Sequence, residues 1–565
     1  MKKLLLLLLS AHLFINASAQ APTMEVGEGV STMTHIPQAL LGEQNGQYIL
    51  LTWKMSLSLS SMIANAATSI EDLKLAYFDS KTLNLSKAVS LPEFKGEGVT
   101  RTGNVRLEEL VLHGDTLDMF TSTWDKEAKN YAIHAWQLDA STGKPFKGEA
   151  KLIAKIEDGK KSDTRRTSIY HYEKTGKTVL SYFNTSRKEE TTKIDILVLD
   201  NTLEEVRKSE LVISDTKRGD GIKNITADKA GNIYIIFNVW EDDGEEDVLI
   251  NRLAFVPING NAPTTVDIKT EGGDITSSTV HISESNKVFL LGYYSRKEGP
   301  EGKDDIAAGS FIAEIDVKDG DVFKVAESEL TQNQKVSLVT ESMNPNMARN
   351  RRLKEMRYMK VSEIFEDPAG NITMVGSVRY EYTVSSNGRS TTTYCYNSGL
   401  VTKFKQDCSV AWQTMIPRKA FINSANFGMF PSVTFSQGKT YILFTDHEDN
   451  IEPLGLIASG KKSASKSKSK GPVKPKDYPP TDSDQPIELD DWNMKRTALR
   501  LTTIDELGNW KINWMQPVGD DEDKKIPALE GQVFKQLNDK EFVAAVFTKY
   551  GMMGFKQFGL ARIKY

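Results

Sequence analysis

Polar turns that open onto short apolar runs recur along the whole chain. Two are nearly the same text: residues 227–237 read ADKAGNIYIIF and residues 366–376 read EDPAGNITMVG. In each, an Asp-containing turn ends in Gly-Asn, which supplies the positive φ a tight hairpin requires. The residues that follow are β-branched or aromatic, as strands prefer. The same pattern returns in NGQYILLTW from Asn45, GDTLDMFTSTW from Gly114, TGKTVLSYFN from Thr175, SNKVFLLGYYS from Ser285, QGKTYILFTDH from Gln437 and NDKEFVAAVFTKY from Asn538.

Each copy has neighbours. An alternating run precedes it, such as VRLEELVLHG at Val105 or RRTSIYHYEK at Arg165. A third run follows after a loop and often ends in Asp and a turn, as in LKLAYFDSKTLN from Leu73 and IDILVLDNTLEE from Ile194. A fourth closes the set, for instance EEVRKSELVI from Glu204 or CSVAWQTMIP from Cys408. Four consecutive antiparallel strands, repeated at similar spacing, predict an all-β chain folded as a single β-propeller. Eight blades are expected, or seven if one copy is spurious. The last copy stops after its third strand, FGLARIKY, while TMEVGEGV from Thr23 precedes the first blade. Pairing of these two ends would close the ring and remove two exposed edges.

One turn resembles a known family. LDASTGKPF, Leu138–Phe146, is similar to the DAxTGK turn of quinoprotein-type propeller repeats, without the Trp that often follows there. The wider resemblance is to secreted repeat propellers as a class. No Trp-Asp blade ending recurs, and IDELGNW at Ile504 has one residue too many for a sialidase-type Asp box. Such a resemblance implies a fold and no particular activity.

The N-terminus changes the picture of location. Residues 1–19, MKKLLLLLLSAHLFINASA, have two lysines, an apolar run too short to span a bilayer, and a small-residue cleavage site. A signal peptide is therefore expected at 1–19, with residues 20–565 forming the exported propeller. No Cys follows the cleavage site, which argues against a lipid anchor, and no later stretch has membrane length. The destination is periplasmic, cell-surface or extracellular.

Charge excludes one class of partner. The chain has 71 Lys+Arg and 76 Asp+Glu, so removing Lys2 and Lys3 gives 69 − 76 = −7 for the exported part. A mildly acidic protein lacks the basic footprint of a general nucleic-acid binder.

Linear catalytic motifs are missing: there is no H-E-x-x-H, no G-x-S-x-G and no phosphate loop. His35, His113, His134, His171, His281 and His447 do not fall in metal-ligand spacing, and His113 and His171 read as hydrogen-bonded structural residues near inner strands. No catalytic or metal residue is assigned. EDDGEED, Glu241–Asp247, could hold Ca²⁺ but lacks the alternation of an EF-hand loop and reads as a solvated acidic loop. Cys395 and Cys408 are expected to remain thiols. The turn at SSNG makes Cys395 part of one long strand, which puts the two roughly 33 Å apart at strand rise, against the ~7 Å limit for a disulfide.

The connections are one-sided. First-to-second and third-to-fourth turns are tight, whereas the second-to-third and blade-to-blade connections hold the insertions. These include a basic segment at 344–358, with Arg349, Arg351, Arg352 and Arg357, and a low-complexity, lysine-rich loop at 455–485 too polar to fold. Trp53, Trp124 and Trp240 end second strands near the same face, where Trp could stack on sugar or pack between blades. The expected role is an exported, monomeric binding or scaffold module that engages a protein or glycan of the cell envelope through this face, without a cofactor. The alternative is an exported enzyme, polysaccharide-active or quinone-linked, with its site in the central channel.

Overall fold

A computed structural model describes residues 22–565, apart from 33–34, 54–72, 93–104, 126–129, 148, 157–166, 173–175, 185–191, 214–221, 243–246, 260–261, 299–303, 332–333, 335–357, 387–388, 419, 423–430, 448–449, 451–488, 491–496, 516–527, 539 and 552–553. The expected signal peptide at 1–19, the basic segment's arginines and the lysine-rich loop lie outside the described residues. Among the described residues no helix is long and apolar enough to cross a membrane.

Eight antiparallel sheets follow one another around a ring. Blade 1 is built from Ile36–Gln44, Gln47–Trp53, Leu73–Asp79 and Leu85–Ser90, and blade 2 from Val105–His113, Thr116–Asp125, Asn130–Asp139 and Lys151–Ile156. Blade 3 is Thr167–Tyr172, Lys177–Asn184, Thr192–Leu199 and Glu205–Ile213; blade 4 is Ile222–Ala227, Ile233–Asp242, Asp247–Val256 and Thr264–Ile268. Blade 5 is Asp274–Ile282, Val288–Glu298, Asp304–Asp316 and Asp321–Glu329; blade 6 is Met359–Glu366, Ile372–Ser386, Arg389–Phe404 and Val410–Ile416. Blade 7 is Ser432–Ser436, Lys439–His447, Thr497–Ile504 and Trp510–Met515. Blade 8 takes three strands from the C-terminal region, Ala528–Asn538, Glu541–Gly551 and Gly554–Lys564, and its fourth from Thr23–Val26. All eight turn-to-strand passages read from the sequence are the hairpin between a blade's first two strands.

The closure has a defined register. Met24 pairs with Ile563 and Glu25 with Arg562, and Val30–Ser31 continues the pairing to Phe558 and Gln557. Met24 is fully buried against both blades 7 and 8. Gly27 donates to Leu560 O at 3.0 Å, and a Cβ there would stand 2.1 Å from Leu83 O of blade 1, so only glycine fits this crossing.

Each junction between neighbouring blades has its own apolar core. Leu75, Tyr77, Met119 and Trp136 join blades 1 and 2, for example, and Leu443, Leu501, Leu529 and Phe542 join blades 7 and 8. A fully buried Leu or Phe contributes about 1.5–3 kcal/mol relative to exposure, so the ring is held by many such contacts along every seam.

The turn chemistry explains the repeated text. Asp228 Oδ1 accepts from the backbone N–H of Ala230 and Asn232, each at 2.9 Å, while Gly231 sits at φ 94°. Asp367 does the same for Ala369 and Asn371, with Gly370 at φ 77°. IDELGNW repeats the geometry in blade 7's third-to-fourth turn, where Asp505 accepts from Leu507 and Asn509. Other third-to-fourth turns place an apolar residue at positive φ: Leu83 and Leu203 are buried there at 61° and 60°. Cys408, at φ 66°, occupies the corresponding corner and is buried. Its thiol therefore serves as an apolar plug, and neither it nor Cys395 is in a disulfide.

Strand ends fix which connections share a face. On the tight face the first-to-second and third-to-fourth connections never exceed the stretch 140–150. The other face receives 54–72, 330–358 and 448–496, the last containing the short strand Leu489–Asp490. Blade 6 adds to that face. Its second and third strands run on past the first, from the pair Arg379↔Tyr396 to Ser386↔Arg389. This extension of about 26 Å at strand rise is braced by Ala420–Ile422, which pairs with Tyr394 and Cys395 and, in parallel, with Leu489–Asp490.

Candidate functional site

The innermost strands line the channel, and most do not alternate cleanly. A bulge sits near the start of the first strand in blades 1, 2, 4, 5 and 6, where the extra residue is Gln38, Glu108, Lys223, Thr276 and Ser362. A bulge re-aims the local side chains. Every one of these five is polar, so the distortion repeats as a ring of hydrophilic groups at the loop-rich end of the channel.

Between blades 4 and 6 the wall hollows into a cavity of about 500 Å³. Blade 5 supplies its floor from Ile275 to His281; Lys223 and Asn224 flank it on one side, and Lys360, Ser362 and Glu363 on the other. Behind Ser362 stands Arg379, whose guanidinium donates to Ser377 Oγ at 2.8 Å and to Ser362 Oγ. Ser277 Oγ accepts from Val361 N at 3.4 Å and ties blade 5 to blade 6. Ser278 Oγ donates to Asn251 Oδ1 at 3.1 Å and ties blade 5 to blade 4.

Lys360 and Glu363 are exposed to the cavity while strands crowd around them. Burial pushes the Glu363 carboxyl up to about 7, and the nearby Arg379 only partly opposes this. Burial also lowers the Lys360 ammonium, followed by repulsion from Lys223 and Arg379. Blade 2 stands opposite blade 6 in a ring of eight and is acidic: Glu108 Oε2 accepts from Thr167 Oγ1 at 2.9 Å, and burial raises the Glu109 carboxyl. Blade 2 offsets part of this acidity with Arg106, which meets Glu108 at 3.9 Å.

At its tight-turn end the channel carries the histidines. The rings of His113 and His171 stack at 5.3 Å between blades 2 and 3. His113 Nε2 meets Asp118 Oδ2 at 2.8 Å, which raises its pKa, and His171 Nδ1 meets Thr178 Oγ1 at 3.0 Å. His281 Nε2 lies 3.1 Å from Glu366 Oε2, yet burial outweighs this contact and lowers its pKa. These arrangements fit the structural role read from the sequence.

A second charged group is sealed between blades 6 and 7. Arg500 and Asp446 are both fully buried and meet at 3.1 Å. Arg500 also donates to Pro417 O at 3.1 Å, and Asn450 Nδ2 donates to Asp446 Oδ1 at 2.6 Å. Arg418 donates to Thr445 O at 3.2 Å and, like Arg500, stacks on the Phe444 ring. Burial brings the Arg418 pKa down to about 10, so it stays charged at neutral pH.

Of the residues singled out from the sequence, Trp53 packs against the core between blades 1 and 2, and Trp124 lies 4.6 Å from the Tyr131 ring on the adjacent strand. Trp240 pairs with Leu249 along the blade 4 ladder. The three stand on separate blades and are not brought together. Arg349, Arg351, Arg352 and Arg357 lie outside the described residues, as does the centre of the acidic Glu241–Asp247 loop. Sequence reasoning missed Lys223, Lys360, Glu363 and Arg379. The one available signal was a break in strand alternation at IKN, VSE and ITS, which is visible only once the strand pairing is known.

Fold and topology define the class: an eight-bladed β-propeller closed by its two terminal strands. No protein-family model matches the chain, and no curated protein sequence does. Among solved structures it is similar to the β-propeller domain of the Trilobed protease from Pyrococcus furiosus, with 10% identity over 75% of this chain and 90% of that one, TM-score 0.32. It is also similar to a Synechocystis apocarotenoid oxygenase mutant, with 11% identity over 76% and 88%, TM-score 0.34. A Dyadobacter fermentans protein of unknown function gives 8% identity over 71% and 98%, TM-score 0.25. Likeness at this level carries no functional argument.

Proposed function

We propose that the protein is an exported binding or scaffold module that engages a protein or glycan of the cell envelope through its loop-rich face. The observation that carries this reading is the one-sided distribution of chain. Every connection longer than 140–150, together with the extended hairpin of blade 6, belongs to a single face of a closed ring. Loops on rigid scaffolds carry recognition, and drift alone would lengthen both faces. Export rests on the sequence pattern of residues 1–19.

The test is capture from cell-envelope extract by three immobilised proteins: the parent, a variant with 455–485 replaced by a short Gly/Ser linker, and one with Arg349, Arg351, Arg352 and Arg357 changed to Ser. The specific partner should be depleted on at least one variant, with melting temperature nearly unchanged because loop-closure entropy varies slowly with length. Full capture by both variants overturns the reading. A second reading, an exported enzyme with its site in the channel, draws on Glu363, a carboxyl pushed up to about 7 in a polar cavity. It gains if Glu363→Gln abolishes a turnover that both loop variants retain.

A further inference from the structure

We propose that the channel wall between blades 4 and 6 is an oxyanion-binding site, taking a small molecule that bears carboxylate, sulfate or phosphate groups. This goes beyond the loop-face reading and uses none of its residues.

Two cations from different blades line one cavity, Lys223 from the first strand of blade 4 and Lys360 from the first strand of blade 6, and Arg379 on the second strand of blade 6 stands behind its wall at Ser362. They are close enough for Lys223 and Arg379 to disfavour the charge on Lys360. Some lysines elsewhere meet carboxylates: Lys151 meets Glu204 at 2.7 Å, Lys287 meets Glu314 at 2.7 Å, and Lys403 meets Asp367 at 3.0 Å. Among the described residues neither Lys223 nor Lys360 has an ion-pair partner. Holding Lys223 and Lys360 on the same cavity wall costs free energy that an arriving anion would offset.

The single acid in the cavity does not fill that role. Glu363 makes no ion pair with these cations among the described residues, and a carboxyl titrating near neutrality is partly protonated there. In that form it donates a hydrogen bond to an anion instead of repelling it. The remaining lining suits the same ligand: Asn224, Thr276, Ser278 and Thr279 offer amide and hydroxyl groups, and hydroxyl and amide N–H groups donate to oxyanions. A volume of about 500 Å³ lies within the range of small-molecule sites, and the bulges at Lys223, Thr276 and Ser362 aim one residue from each of three adjacent blades at it. The guanidinium of Arg379, held behind Ser362 by two serines, adds fixed positive charge to the same wall.

The experiment is calorimetric titration of the full exported chain with sodium phosphate, sodium sulfate, citrate and trigalacturonate, each against sodium chloride at matched ionic strength. At least one oxyanion should saturate where chloride does not. The double variant Lys223→Gln, Lys360→Gln should weaken that binding tenfold or more while its ligand-free melting temperature stays that of the parent. Saturation by phosphate or sulfate would identify a site for the free inorganic ion or its esters; saturation by citrate or trigalacturonate alone would identify an organic acid or acidic sugar. Should the double variant fail to fold, Lys223→Gln alone carries the expectation, with weakening of about threefold. The proposal is overturned if no oxyanion outperforms chloride, or if a folded variant binds as the parent does. Neither result bears on envelope capture by the loop face, so the two readings fail separately.

Discussion

The molecule holds two groups of cations and treats them in opposite ways. Between blades 6 and 7, Arg418 and Arg500 are shut away from water with Asp446, ringed by Asn450, Thr445 and the Phe444 face. Between blades 4 and 6, Lys223 and Lys360 line an open cavity with Arg379 behind its wall, and its one acid is pushed up to about 7. The first group could not survive burial without its carboxylate, because an uncompensated interior charge is strongly destabilising. In the second, the Lys223 and Lys360 side chains are exposed to the channel instead of sealed. Burial therefore separates a seam that locks two blades from a surface left available to an anion.

Breaking the sealed group should produce the largest effect. Asp446→Ala removes the buried carboxylate that Arg500 meets at 3.1 Å, and unfolding stability should fall by about 3–5 kcal/mol. A denaturant midpoint that barely moves would show that Asp446 is not what holds Arg500. Arg500→Met should cost less, about 2 kcal/mol, since Arg418 remains to face Asp446. If Arg500→Met proves the more damaging, the partnership has been assigned to the wrong arginine.

The open group should respond to pH instead. The folded-state pKa of Glu363 is raised from 4.5 to about 7, so the folded protein holds a proton there that the unfolded chain releases. The contribution is fully present below pH 4.5 and is lost as pH rises through 7. Glu363→Gln should match the parent at pH 4 and exceed it at pH 8, by ~1 kcal/mol once screening by channel water is allowed for. An equal difference at both pH values would mean that the side chain titrates as an ordinary surface glutamate. The smallest effect belongs to the lysines: Lys223→Gln with Lys360→Gln should shift stability by less than about 0.5 kcal/mol. A loss of 2 kcal/mol or more would erase the distinction between the two groups.

Legibility divides along the same line. Turns such as DKAGN and DPAGN are local: Asp, Gly and Asn within five residues carry both the capping carboxylate and the positive φ. That is why blade count, strand order and terminal closure could all be read from the chain. Lys223 and Lys360 stand on separate blades, and only ring geometry brings them to one cavity. Each looks like an ordinary polar position of a half-exposed strand, and the bulges that redirect their neighbours depend on pairing with a second strand. Arg500 and Asp446 are hidden for a related reason. Both sit on strands of blade 7 separated by the long 448–496 connection, and nothing in LRLTT or FTDH marks a buried charge.

The pairing of Thr23–Val26 with Gly554–Lys564 also sets an order of assembly. Blades 1 to 7 are each contiguous in the chain and need only local contacts to form. The eighth joins segments more than five hundred residues apart, the most demanding contact in the molecule by sequence separation, so it should form late. Until it does, the open ring presents a bare edge at each end, and two unfinished copies could satisfy one another by exchanging their first strands. Low concentration during refolding therefore favours the closed ring over an exchanged pair.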